Sequence, residues 1–131
     1  ATAFARSLAE KSPGPDAQLL EARSLVAAGR GSDAAAVIAS ALGSSTDNGQ
    51  RSELYLLRSH TGTTDPSDDL RLSLLENPDN LEALTALADL LATQGNLRKA
   101  LEYARHAADI APDDPTVSER VRDFQTRAAG N

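Results

Sequence analysis

Two imidazoles, His60 and His106, are the residues best suited to proton transfer or metal ligation in this 131-residue chain. Chemistry at either would need company: a hydroxyl or thiol nucleophile within reach, or further metal ligands at fixed spacing. The chain contains no Cys, which removes thiol nucleophiles, thiolate metal sites and disulfides together. No Ser motif stands at catalytic spacing around either histidine. Glu102 lies four residues before His106, the spacing of a solvated ion pair along one helix. His60 reads as a surface or helix-end residue, or as a contact for a bound partner. The acidic stretch Asp65, Asp68, Asp69, Glu76, Asp79 and Glu82, opposed by Arg71 alone, would steer a basic peptide. The competing reading places Asp65, Asp68 and Asp69 in the first turn of a helix, where the dipole favours anions. Asp65-Pro66-Ser67-Asp68-Asp69 lacks the alternating ligands and central Gly of a calcium loop. Gly29-Arg30-Gly31-Ser32 precedes a helix and could face an anion, but it lacks the Lys-Ser/Thr of a phosphate loop. An inter-helix turn accounts for it. No catalytic constellation emerges, and neither a metal nor a cofactor is expected; the chain reads as a non-enzyme.

The elements that carry these side chains follow from composition. There are 24 Ala and 19 Leu against four Val, two Ile, two Phe and two Tyr, with no Trp or Met. Ala and Leu favour helices, whereas the β-branched and aromatic residues that strands prefer are scarce. The expected class is all-α. Net charge is −6, a field that repels nucleic-acid backbones and anionic lipid. No run is long enough for a membrane span, and no basic-then-apolar start reads as a signal peptide. The first residue is Ala rather than Met, which points to a processed chain or a piece of a longer one.

The chain punctuates itself at a fixed interval. Gly29, Gly62 and Gly95 are 33 residues apart, and Pro78 and Pro112 are 34 apart. Each Gly follows an apolar-periodic stretch, where a helix can end in a left-handed residue. Each Pro closes a second such stretch. Two helices per 33–34 residues are the unit.

The clearest unit spans 80–112. Asn80 caps a helix with Leu84, Leu87, Leu90 and Leu91 on one stripe. After Gly95, Asn96 caps a second helix that lines up Leu97, Ala100, Leu101, Ala104, Ala107 and Ala108. A unit at 16–44 has its second helix capped by Ser32 or Asp33, with Ala34, Val37, Ile38, Ala41 and Leu42 inward. A degenerate unit at 47–78 carries Leu54, Tyr55 and Leu57, then Leu70, Leu74 and Leu75 as the inner face of its second helix. A helix over 1–12, with Phe4, Ala5, Leu8 and Ala9 inward, occupies the slot ending a preceding repeat. A last helix over 114–129 carries Val117, Val121, Phe124 and Ala128, and suits a solubilising cap.

In Leu84, Leu87-Ala88, Leu91, Gly95, Ala100, Ala104, Ala107 and Pro112 the chain resembles the tetratricopeptide repeat, a 34-residue helix-turn-helix unit. Leu or Ala stands where the family has large aromatics. The Thr-Pro-Leu-His turn of ankyrin repeats, which have nearly the same period, is absent. The resemblance implies a right-handed α-α superhelix of about three helix pairs, with the extra N-terminal helix and the C-terminal cap.

It further implies a concave groove lined by the first helix of each pair, where members of the family hold a peptide or helix of a partner protein. Carried over position by position, the groove comprises Leu19, Arg23 and Val26, then Ser52, Leu56 and His60, then Glu82, Thr85, Asp89 and Thr93. The carboxylate clamp for chaperone tails needs Lys, Asn, Asn, Lys and Arg in successive positions. Those positions hold Leu19, Arg23, Glu53 or Ser52, Glu82 and Ala86, so that ligand is not expected. The expected partner is a protein or peptide, with basic character favoured by the acids. The alternative is an architectural domain that self-associates or packs within a longer array, as in a bacterial envelope or secretion complex. The chain's high Ala and Arg content is in keeping with a bacterial source, and nothing in it separates cytoplasm from periplasm.

Overall fold

A computed structural model describes residues 14–130. The helix expected over 1–12 lies outside the described residues. Within them seven α-helices follow one another: α1 (Pro15–Ala27), α2 (Gly31–Ser44), α3 (Asn48–Arg58), α4 (Pro66–Glu76), α5 (Leu81–Thr93), α6 (Leu97–Ile110) and α7 (Pro115–Ala129). No strand occurs among the described residues, and none of their helices is long and apolar enough to cross a membrane. The closest packing is within the hairpins α1–α2, α3–α4 and α5–α6; α7 lies against α6, and α1 also touches α3.

Short polar side chains start most of these helices. The first backbone N–H groups of a helix have no partner within it, and an Asp or Asn just before it can accept from them. Asp47 accepts from Gln50 N at 2.9 Å, Asp65 from Ser67 N at 2.9 Å and Asn80 from Ala83 N at 3.1 Å. Asn96 accepts from Lys99 N at 3.3 Å and Asp114 from Thr116 N at 2.9 Å. Pro15, Pro66 and Pro115 each occupy a first helical position, where the missing N–H costs nothing. Helix α2 departs from expectation. It begins at Gly31 with Arg30 before it, not with Ser32 or Asp33 as its cap.

The glycine period has a conformational basis. Among the described residues only Gly29, Gly62 and Gly95 have positive φ, at 75°, 76° and 84°. After α1, Gly29 N donates to Val26 O and Arg30 N to Leu25 O; after α5, Gly95 N donates to Ala92 O and Asn96 N to Leu91 O. This paired closure satisfies the last carbonyls and requires a left-handed residue. The middle unit reaches the same φ by another route. Helix α3 stops at Arg58, and His60 N to Leu57 O and Thr61 N to Arg58 O carry the chain on in tighter turns before Gly62.

Alanines set the spacing of the hairpins. Ala22, Ala34 and Ala41 in the first, and Ala83, Ala88, Ala100, Ala104 and Ala107 in the third, are at most 1% exposed. Small side chains at the crossings let the helices approach closely, and Leu84, Leu87 and Leu91 fill the remaining space. Leu19, Ile38 and Leu54 join the first hairpin to α3. Leu56 and Leu70 belong to the cluster of α5 and α6, which Phe124 of α7 completes.

The middle hairpin is packed differently from the sequence expectation. Leu70 is buried and Leu74 half-buried, but Leu75 is 78% exposed. Its expected place on the inner face goes to Ser73, which is fully buried against Ser52. Ser52 Oγ donates to Ser73 O at 2.8 Å, and Ser73 Oγ donates to Ser52 O at 2.7 Å. Two serines thus take the role that paired alanines have in the neighbouring hairpins, with each hydroxyl satisfied across the interface.

Candidate functional site

Helices α1, α3 and α5, with α7 after them, present a common polar row. Arg23 of α1 meets Glu53 of α3 at 3.3 Å, and Gln50 of α3 donates to Asp16 of α1. Asn80, at the start of α5, donates to Ser52 Oγ at 2.8 Å and to Glu53 at 3.4 Å. Arg120 of α7 donates twice to Asp89 of α5, Nε to Oδ1 at 2.8 Å and Nη2 to Oδ2 at 3.0 Å. That hydrogen bond raises the Arg120 pKa and outweighs the opposing effect of partial burial.

The expected groove residues fall into two sets. Arg23, Glu82, Asp89 and Thr93 are exposed and Thr85 is half-buried. The last four stand on α5 at helical spacing, and Thr85 and Thr93 return their hydroxyls to Glu82 O and Asp89 O. The others are not accessible in the same way. Leu19, Ser52 and Leu56 are 8%, 0% and 4% exposed, held in the packing between helices. Val26 is half-buried against the first cluster. His60 is exposed, but it sits in the turns beyond α3 rather than on the helix. On α3 the outward position belongs to Glu53, one residue along from Ser52.

The acidic stretch is largely engaged within the fold. Asp65 caps α4. Asp69, with its side chain 1% exposed, receives Arg58 Nε at 2.7 Å and the Thr64 hydroxyl. Glu76 pairs with Arg51 at 2.8 Å, and Asp79 with His106 at 3.1 Å. The last contact corrects the expected pairing of His106 with Glu102, which lies instead 3.9 Å from Lys99. Asp68 and Glu82 have no such partner among the described residues.

Arg51 is a joint that residue spacing does not announce. Its Nη1 donates to Leu42 O at 2.7 Å and Ser45 O at 3.2 Å, so it closes the end of α2 from α3. Its Nε reaches Glu76 of α4, and Nη2 reaches the Tyr55 hydroxyl. The hydrogen bond to Glu76 is the main cause of its raised pKa. Arg58 lies over the same Tyr55 ring, 4.9 Å from its centre. These contacts explain the aromatic at Tyr55: the guanidiniums of two structural arginines lie over its ring.

Among the described residues no three His, Asp or Glu side chains are grouped to hold a metal ion. What remains is a row of polar side chains along successive first helices, exposed on α1 and α5 and half-buried on α3, on a scaffold of period 33–34. The family model for the tetratricopeptide repeat matches residues 81–121, from the start of α5 into α7. Residues 81–121 carry a tetratricopeptide repeat. Tetratricopeptide repeats generally mediate protein–protein interaction. No curated protein matches the chain.

Proposed function

We propose that the chain is a non-enzymatic interaction module that holds a segment of a partner protein against the face formed by α1, α3 and α5. The observation that supports this most is the polar row on the first helices, bounded by Arg23–Glu53 at one end and Asp89–Arg120 at the other. Along α5, Glu82 and Thr93 are exposed beside Asp89, with Thr85 half-buried among them. Leu19, Ser52 and Leu56 lie beneath this face and fix its shape; contact with the partner falls to Arg23, Glu53 and the α5 residues.

The partner segment carries basic residues. Glu82 is the exposed acid of this face with no cation partner among the described residues; Glu53 and Asp89 are paired with Arg23 and Arg120. Charges of this kind contribute more to encounter and orientation than to tight binding. The test is affinity capture from the native source with the intact chain beside a Glu82→Lys/Asp89→Lys variant, the fold of each checked by thermal unfolding. A protein held by the first and lost by the second supports the reading. An identical set held by both removes it and favours the architectural alternative, in which the repeats pack within a longer array.

A further inference from the structure

The second helices of the middle and third hairpins share an apolar cleft. It is lined by Arg71, Leu74 and Leu75 of α4 and Tyr103 of α6, with a volume of about 340 Å³. That is near the low end of the range of about 300–1,000 Å³ for ligand clefts. Isolated exposed leucines are ordinary on protein surfaces; here Leu75 adjoins Leu74 and Tyr103 beside an open hollow. Leu75 is the most exposed large apolar residue among those described, at 78%. Leu74 and Tyr103 form the half-buried floor, packed on the core beneath.

The polar groups at the cleft set the chemistry of its occupant. Arg71 donates one N–H to Ser67, a turn earlier on α4. It has no carboxylate partner among the described residues, whereas Arg23, Arg51, Arg58 and Arg120 are each paired with one. The Tyr103 hydroxyl also makes no hydrogen bond to a described side chain. A guanidinium offers paired donors in a plane that suits a carboxylate, and its remaining N–H groups stand beside an apolar floor. We propose that this cleft is a second docking site, for a partner segment that places an apolar side chain on Leu74, Leu75 and Tyr103 and an adjacent carboxylate on Arg71. It is independent of the α1–α3–α5 face and opposite to it in charge preference.

Sodium 3-phenylpropionate carries both features and serves as the probe, with 3-phenylpropionamide as its neutral counterpart. Both are titrated into the isotope-labelled chain and followed by NMR at the Leu74 and Leu75 methyls and the Tyr103 ring. The expected result is saturable shifts at these groups, with the carboxylate bound about tenfold more tightly than the amide. Arg71→Gln should bring the two ligands to equal affinity, and Leu75→Ser should weaken both. Both positions are exposed, and unchanged thermal unfolding will show that the fold is retained. The proposal is overturned if no saturable shift appears at these groups, or if the unaltered chain binds acid and amide alike. Sedimentation gives the remaining outcome. A dimer that Leu75→Ser converts to monomer would mean that a second copy covers the cleft, and the acidic-partner assignment would be wrong.

Discussion

Ser52 and Ser73 are bonded reciprocally, each hydroxyl donating to the other's backbone carbonyl across the α3–α4 crossing at 2.8 and 2.7 Å. Asn80 Nδ2 adds a third arm at 2.8 Å from Ser52 Oγ while its Oδ1 caps α5. Removing either hydroxyl strands, out of water, the groups it had satisfied: Ser73 O and Asn80 Nδ2 for Ser52, Ser52 O for Ser73. Ser52→Ala and Ser73→Ala should each cost about 1–3 kcal/mol. The double variant should cost about the sum, since each hydroxyl donates to a backbone carbonyl that the other substitution keeps. Urea unfolding of the four species measures this, and a double variant costing clearly less than the sum would mean that each hydroxyl depends on the other rather than on the carbonyl it faces.

Gly31 is the point where the first inter-helix turn meets the second. A Cβ built there would lie 2.1 Å from Thr61 O, a backbone atom that cannot swing aside. Gly31→Ala should therefore cost about 1–3 kcal/mol by overpacking. Gly43→Ala, at a helical position with open space around it, should be neutral or mildly stabilising. Thermal unfolding of the pair checks it; equal effects would show that the two turns do not touch in solution.

The two ends of the repeat were not equally legible in the sequence. The 80–112 unit could be read closely because its helices obey one rule throughout: Leu on the stripe, Ala at the crossing, Asn at each start, Gly and Pro at the ends. Gly29, Gly62 and Gly95 announced the period because only a left-handed turn demands glycine there. The middle hairpin broke these rules. A buried Ser looks like a surface residue until its partner is known, and Ser73 is 21 positions from Ser52. Leu75 reads as core and is exposed because the face next to it on α4 is already committed to Leu70 and Ser73. On α3 the polar pair Ser52-Glu53 left the outward residue ambiguous by one position, and Arg23 decides it by pairing with Glu53. Long-range arginine contacts such as Arg58–Asp69 have no local signature at all.

Arg51 joins three helices through directed donors, so charge alone should not replace it. Lys has no planar fork and cannot serve Leu42 O and Glu76 together. Arg51→Lys should lose about 1–3 kcal/mol, and amide exchange should speed up over the last turn of α2, which Arg51 closes. Retention of full stability with unchanged exchange there would contradict this role.

Two ion pairs of similar length should behave differently. Asp69 is buried, so Arg58→Met leaves its charge without the guanidinium and should cost about 3 kcal/mol or more. Asp89 remains half exposed, so Arg120→Met should cost no more than about 1 kcal/mol, less still in salt. Unfolding of both variants at low and high NaCl separates them. A larger loss at Arg120 than at Arg58 would reverse the burial argument.

The central claim is that partner proteins meet the face of α1, α3 and α5. Its most direct test is hydrogen exchange on the chain alone and on the chain bound to a protein captured from the native source. The account predicts protection concentrated in α1, α3 and α5, strongest around Glu82 to Thr93, and lost with Glu82→Lys/Asp89→Lys. Protection confined to α2, α4 and α6, or the same footprint in that variant, would contradict it.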